Sequence, residues 1–190
     1  MKYWFCLICL GFFSSHCFSQ GFDRQISSGT VDVDGESIKG YQTHFDFNAD
    51  RVEKGLWKFS HAFAKTTDLR THHEISIPVE KSNQSIQLVA QVVNLDGKSC
   101  LFKLSAKDSS PEQVRSQLKD FIVQFKRYFY LEYYQQEIDL LEARAAGEAK
   151  NYLRSLEVPG GNSNAHMNTL QEIHQEIEAL RHQQREVVRN

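Results

Sequence analysis

The stretch between Pro111 and Pro159 constrains the fold of this chain more than any other feature. It contains no proline and a single glycine, Gly147, so nothing in it forces a helix to break. Its apolar side chains recur mostly at steps of three and four residues, as on one face of an α-helix. The sequence therefore predicts one continuous helix of about 45 residues, roughly 65 Å long. The apolar positions are Leu118, Ile122, Phe125, Phe129, Tyr134, Ile138, Leu141, Ala145, Tyr152 and Leu156.

Both ends of this helix carry recognisable signals. Ser110 suits an N-cap, Pro111 suits the first turn and Gln113 closes a capping box, so the helix should begin near residue 111. Pro159 and Gly160 then predict a stop and a reversal of the chain. A second apolar stripe follows the reversal, which predicts an antiparallel, coiled-coil helical hairpin that projects from the rest of the molecule. The stripe consists of Leu170, Ile173, Ile177, Leu180 and Val187.

The region before the long helix shows strand and helix patterns in turn. The Asp34-Gly35 pair is a strong hairpin turn between two alternating runs, which predicts two antiparallel strands. Asp50, with Glu53 three residues on, resembles a capping box. We expect a helix of about 15 residues to begin there and to end near Lys65.

Three further apolar runs predict three more strands, the last two joined by a hairpin at Asp96-Gly97. Pro78 cannot donate to a strand ladder, which makes its strand an edge candidate or the site of a local kink. We therefore expect an α+β fold with a five-stranded, mostly antiparallel sheet covered by helices. The strands are expected in Ile75–Val79, Ile86–Val93 and Leu101–Leu104, with an α+β domain over 20–133 and the hairpin over 134–190.

The first nineteen residues have the pattern of a secretory signal peptide. Lys2 precedes an apolar run, Tyr3 to Phe13, which small residues follow, and this run is too short to span a bilayer. We expect cleavage after residue 19 and export to the periplasm or the extracellular space. Lipidation of Cys17 is the alternative that would attach the chain to a membrane. His16 argues against it, since lipoprotein signals have Gly or Ala before the acceptor cysteine.

Short elements of the exported part occur in a fixed order, namely Gly40-Tyr41, Val52, Trp57 and then Asp96-Gly97. In this order of elements the chain resembles exported bacterial families of unassigned function. Those families carry a small α+β domain followed by a coiled coil rich in Glu, Lys and Gln. The resemblance covers most of the chain after the leader. It implies the same fold and brings no activity with it.

Charge and cysteine content exclude several classes of protein. The formal net charge is −2, and removal of Lys2 with the leader makes it more negative, which opposes nucleic-acid binding. Cys100 is the only cysteine outside the leader, so no internal disulfide is expected. We expect Cys100 to be a small buried hydrophobe, with an intermolecular disulfide as the alternative.

Motifs for catalysis or metal binding are lacking in the sequence. No His-Glu-x-x-His, Gly-x-Ser-x-Gly or phosphate-binding glycine loop occurs. His72 and His73 are adjacent and point to opposite faces of a strand, and His166, His174 and His182 recur at eight residues, whereas helical metal ligands lie three or four apart. We expect the histidines to lie on the surface. We also expect no bound metal, no cofactor and no enzymatic activity.

The aromatic block of the long helix is the local feature that indicates function. Phe121, Phe125 and Tyr128 lie on the stripe that should face the sheet, while the following tyrosines spread around the helix and suit either core or interface. The candidate partner interface is Tyr130, Tyr133, Tyr134, Leu170, Ile177 and Leu180.

We expect a non-catalytic, exported binding or scaffolding protein that contacts a protein partner, or a second copy of itself, through its hairpin. Two alternatives stay open. The first is a periplasmic holding chaperone. The second is a domain that binds a small molecule or peptide between the sheet and its helices, in a pocket lined by Trp57, Phe59, Phe102 and Phe125.

Overall fold

A computed structural model describes residues 25–33, 35–79, 85–107, 114–158 and 162–189. The predicted signal peptide, the Ser110-Pro111 helix start and the Pro159-Gly160 reversal lie outside these residues. The order of elements is β1 (Ser27–Val33), β2 (Glu36–Phe45), α1 (Ala49–His61), β3 (Lys65–Asp68), β4 (His73–Pro78), β5 (Ser85–Asn94), β6 (Cys100–Ala106), α2 (Arg115–Glu157) and α3 (Ser163–Arg189).

The strands form an antiparallel sheet in the order β1-β2-β6-β5-β4-β3. The α+β class and the hairpins β1–β2 and β5–β6 are confirmed. Gly35 and Gly97 both have positive φ, 87° and 78°, the conformation that hairpin turns require and that glycine adopts without strain.

The sheet has six described strands, so the prediction of five was wrong. The sixth is β3, Lys65–Asp68, a polar segment that begins where the preceding helix was expected to end and for which no strand was predicted. The hydroxyl of Thr66 donates to Ser60 Oγ at 2.8 Å, and both side chains are buried. β3 pairs with β4 from Lys65↔Ser76 to Asp68↔His73. The strand that contains Pro78 is therefore not the edge strand of the sheet.

Helix α1 begins and ends earlier than predicted. Its N-cap is Asn48, whose side chain accepts a hydrogen bond from the backbone N of Arg51 at 2.9 Å. Asp50 lies inside the first turn, where its carboxylate favours the helix dipole. The last helical residue is His61 rather than one near Lys65, because the backbone must leave the helix to form β3.

One face of the sheet packs against α1 and α2 to form the main core. Side chains at alternate positions of the strands point into it, as the period of a β-strand requires. Rings dominate the centre, with Phe45 in contact with Phe102, Phe125 and Phe129. Fully buried members are Phe45, Val52, Leu56, Ile75, Ala90, Cys100, Phe102, Leu104, Leu118, Ile122 and Phe125.

The opposite face of the sheet is partly covered by the β1–β2 hairpin itself. A β-carbon on Gly40 would lie 2.2 Å from the carbonyl oxygen of Leu104, so only glycine permits β2 to approach β6 so closely. A small second cluster forms on this side, in which Val31, Val33 and Val89 are buried and Ile38 is partly buried.

The long helix is confirmed, since α2 runs for 43 residues without interruption. Helix α3, 27 residues long, packs antiparallel to it. Arg181 reaches Glu142 at 2.9 Å and His166 reaches Glu148 at 2.8 Å, so residue numbers fall along α3 as they rise along α2. The last turns of α3 reach the main core, which Val187 joins. In the described part of the chain, none of the helices has the length and apolarity that a membrane span needs.

Candidate binding surfaces

Two of the three predicted interface tyrosines lie in the core. Tyr130 is 4% exposed and its ring is parallel to that of Phe45, with centroids 6.0 Å apart. Tyr134 is 5% exposed, and burial raises the pKa of its hydroxyl to about 12. Their position on the helix therefore serves packing within this chain.

Tyr133 differs from its neighbours because it is only partly buried. Its ring contacts that of Phe47, with centroids 4.8 Å apart, and the guanidinium of Arg51 lies 4.6 Å from the ring centroid. This geometry is that of a cation–π contact. Burial raises the pKa of Tyr133 above its usual value, so the side chain is a neutral phenol on the wall of a groove.

The predicted interface residues of α3 differ in how deeply they are buried against α2. Ile177 is 4% exposed and forms a cluster with Ile138 and Ile173, against which the partly buried Leu180 packs. Leu170 is partly buried. A contact of these residues, or of the three tyrosines, with another chain stays a prediction.

A groove of about 340 Å³ opens between α1 and α2. Its floor is Gly55 and the ring of Phe129, because α1 carries a glycine where it meets α2. Arg51, Lys54 and Lys58 recur at steps of three and four, so they lie on one side of α1. The lining is Arg51, Lys54, Gly55, Trp57, Lys58, Phe129, Glu132, Tyr133 and Gln136.

The cations of the groove are only partly compensated. Lys58 Nζ donates to Glu132 Oε1 at 2.5 Å, and this hydrogen bond raises the pKa of Lys58. Arg51 lies 3.8 Å from Glu137 Oε1. For Lys54, the described residues supply neither a hydrogen bond nor an ion pair. The lining thus has three cations against one carboxylate, that of Glu132.

Sequence reasoning missed this groove. A signal existed in the three basic residues at helical spacing together with Trp57, which is 41% exposed and stacks on His61 with ring centroids 5.1 Å apart. The second helix could not be inferred, since the meeting of α1 with α2 depends on tertiary packing.

The pocket expected between the sheet and its helices is absent from the described residues. Phe102 and Phe125 are fully buried with ring centroids 5.0 Å apart, and Phe59 lies 5.6 Å from Phe125. Their rings fill the space. Of the four expected lining residues, Trp57 alone lines the groove that the structure contains.

Two of the histidines predicted to lie on the surface are buried. His72 is 3% and His73 is 9% exposed. His73 lies opposite Asp68 of the unpredicted strand β3, and His72 directly precedes β4. His73 Nδ1 lies 4.0 Å from Asp68 Oδ1, and Thr71 Oγ1 lies 3.0 Å from His72 Nδ1. No group of three or more His, Cys, Asp or Glu side chains within the described ranges is arranged to hold a metal ion.

Cys100 is fully buried, as predicted. Burial raises the pKa of its thiol to about 12, and the nearby Glu53 adds to this effect. A thiol in this setting is a poor nucleophile.

The far end of the α2–α3 pair exposes apolar side chains. Leu153 is 61%, Leu156 57%, Val158 60% and Met167 39% exposed. All four lie at the end of α2 or at the start of α3, and among the described residues they are only partly covered. Large exposed apolar side chains are ordinary when single, but several at one end of an element are typical of an interaction site.

Comparisons of the sequence with protein-family models and with curated proteins, and a comparison with solved structures, give no match.

Proposed function

We propose that the protein is an exported, non-catalytic binding or scaffolding protein that contacts a protein partner through the far end of its helical hairpin. The observation that carries the proposal is the exposure of Leu153, Leu156, Val158 and Met167 at the end of α2 and the start of α3. The proposed partner is another exported protein or a second copy of this chain.

The length of α2 supports this proposal. At about 1.5 Å per residue its 43 residues extend roughly 65 Å, and its described buried residues run from Leu118 to Ile138. Beyond Ile138 the helix packs against α3 rather than against the sheet. We therefore propose that this part projects as a coiled-coil arm whose end is available to a partner.

The packing between α2 and α3 also supports the proposal that the helix pair holds an apolar binding surface at its far end. Ile138, Ile173 and Ile177 form a buried cluster between the two helices. The exposed apolar side chains at the far end are not members of this cluster. An apolar end on a stable support is a suitable anchor for a partner, because interface anchors are desolvated side chains on rigid elements.

Export forms part of the proposal and rests on the leader pattern around Lys2 and the apolar run that follows it. Fractionation of cells that express the full chain tests it. The mature protein should begin at Gln20 or Gly21, as determined by mass spectrometry of the exported fraction. Retention of the full chain inside the cell would contradict export without bearing on the hairpin.

A double variant tests the interface. Leu153→Ser with Leu156→Ser removes apolar surface at the far end, and Leu140→Ser is the matched control because Leu140 is 66% exposed but lies midway along α2. Self-association is measured by sedimentation equilibrium over a concentration series. Partner binding is measured by cross-linking in the cell envelope.

The double variant should reduce self-association or cross-linking to one defined partner at least tenfold, while Leu140→Ser behaves as the wild type. A monomeric wild type whose cross-links are the same in all three proteins would overturn the proposal.

A further inference from the structure

We propose that the groove between α1 and α2 is a binding site for a small organic anion with a flat apolar body, such as an aromatic carboxylate or sulfonate. The site lies on α1 and on the sheet-covering part of α2, and none of its lining residues belongs to the far end of the hairpin. It is therefore independent of the proposed partner interface.

The charges of the lining select an anion. Glu132 is engaged by Lys58 at 2.5 Å, and Arg51 is shared between the ring of Tyr133 and Glu137 at 3.8 Å. Lys54 lies between these two cations on the same side of α1, and the described residues give it no acidic partner. An anionic group bound at Lys54, with Arg51 one turn away, would form charge-assisted hydrogen bonds that the chain itself does not supply.

The apolar part of the lining selects a flat body. Trp57 keeps 41% of its surface exposed, Tyr133 offers part of its ring, and the ring of Phe129 forms the floor beside Gly55. Aromatic side chains with exposed faces bind flat apolar groups by stacking. The site is thus amphipathic, with its cations on α1 and its rings on both helices.

The size of the groove limits the ligand. A volume of about 340 Å³ lies at the lower end of the range of roughly 300–1,000 Å³ for small-molecule sites. The groove opens to solvent between two helices, so an entry path is present. A ligand with one or two fused rings and one acidic group matches this space.

Anilinonaphthalene sulfonate, an anionic dye with a flat apolar body, is a suitable probe, and the neutral phenylnaphthylamine is its uncharged counterpart. The chain has two tryptophans, Trp4 and Trp57. In a Trp4→Phe background, quenching of the remaining tryptophan emission by the dye therefore reports binding on the part of the protein around Trp57, and the lysine variants below assign it to the groove. Titration of the full chain gives an apparent Kd from this quenching.

We expect saturable quenching of Trp57 by the anionic dye, and about tenfold weaker binding for Lys54→Gln, which corresponds to the loss of one charge-assisted contact. Lys65→Gln is the matched control, because Lys65 is an exposed lysine on β3 outside the groove, and its Kd should stay within twofold of the wild type. The neutral dye should bind at least fivefold more weakly than the anion.

Equal affinity of Lys54→Gln and Lys65→Gln for the anion would overturn the proposal. So would equal affinity of the wild type for the two dyes, or the absence of Trp57 quenching. The Leu153→Ser, Leu156→Ser variant separates this site from the hairpin interface, since it should bind the dye at the groove with unchanged affinity even if partner binding is lost.

Discussion

Gly55 of α1 and Phe129 of α2 lie so close together that a β-carbon on Gly55 would fall 2.6 Å from Phe129 Cδ2. Gly55 is buried in the middle of α1, where glycine ordinarily costs helix stability relative to alanine. The close approach of the two helices explains its presence, because any side chain would displace the ring that forms the floor of the groove.

Gly55→Ala should therefore destabilise the protein, contrary to the usual effect of this substitution in a helix. The gain in helix propensity, about 1 kcal/mol, is outweighed by overpacking against a ring that is fixed by Phe45, Phe47 and Phe125. We expect a net loss of about 1–3 kcal/mol in the free energy of unfolding, measured by chemical denaturation.

Gly147→Ala is the matched control for this prediction. Gly147 lies within α2, is exposed, and has no atom within 4 Å of the position of its absent β-carbon. This substitution should stabilise the protein by about 0.5–1 kcal/mol. A stabilising effect at both glycines would show that Phe129 moves aside without cost.

Much of the fold follows from local signals in the sequence. The glycines of the two hairpin turns, Gly35 and Gly97, have the positive φ that their turn pairs indicate. The absence of proline from residues 112 to 158 and the apolar spacing are sufficient to predict α2. Ile173 and Ile177, two members of the apolar stripe predicted for the last helix, are buried in α3. These features depend on residues close together along the chain.

The features that were missed depend on tertiary contacts. Strand β3 has a polar sequence in which Thr66 alone is buried, and it is a strand because β4 supplies its hydrogen bonds. His73, which is also buried, lies opposite Asp68 in the same pairing. The N-cap is Asn48 and not the predicted Asp50. Both residue types cap helices, and the local sequence does not rank them.

The candidate sites likewise divide into features that the local sequence indicates and features that tertiary packing decides. The tyrosine positions on α2 were known from the sequence, but whether each faces the core depends on where α1 and α3 pack. Tyr130 and Tyr134 are buried, whereas Tyr133 borders the groove. The groove itself needs Gly55 and Phe129 to meet, which no pattern within either helix indicates.

Lys126 should make stability depend on pH. Its side chain is 1% exposed, and Nζ donates to Gln25 Oε1 at 2.6 Å, Thr43 Oγ1 at 3.1 Å and the carbonyl oxygen of His44 at 3.0 Å. Burial lowers the pKa of Lys126 from 10.5 to about 8. Between these values the unfolded chain binds more protons than the folded protein, so stability should rise with pH.

The measurement compares the wild type with Lys126→Met by chemical denaturation from pH 7 to pH 10. The stability of the wild type relative to the variant should increase by about 2 kcal/mol over this range. The comparison is needed because burial raises the pKa of Cys100 and Tyr134, which lowers the stability of both proteins above about pH 9. A difference that does not change with pH would contradict the prediction.

The seam of the helical hairpin should depend on its buried isoleucines and not on its exposed leucines. Ile173→Ala removes a side chain that is 1% exposed, and we expect a local loss of about 2–4 kcal/mol. Hydrogen exchange should become faster in the end of α2 and in α3 and stay unchanged in the sheet. Leu153→Ala, at a position 61% exposed, is the control and should change exchange little. Equal effects of the two substitutions would contradict the assigned packing.

Cys100 should resist alkylation in the folded protein. Its side chain is fully buried in the main core, and burial raises the pKa of the thiol to about 12, so both access and the thiolate fraction are low. Iodoacetamide at pH 8, followed by mass analysis of the peptide that contains Cys100, should show labelling at least 100-fold slower than in guanidinium-unfolded protein. Gly55→Ala, which destabilises the same core, should increase the labelling rate of the folded protein in proportion to its loss of stability. The reason is that the thiol reacts only when the structure opens, and opening becomes more frequent as stability falls. Fast labelling of the native wild type would show that the core around Cys100 is open to solvent.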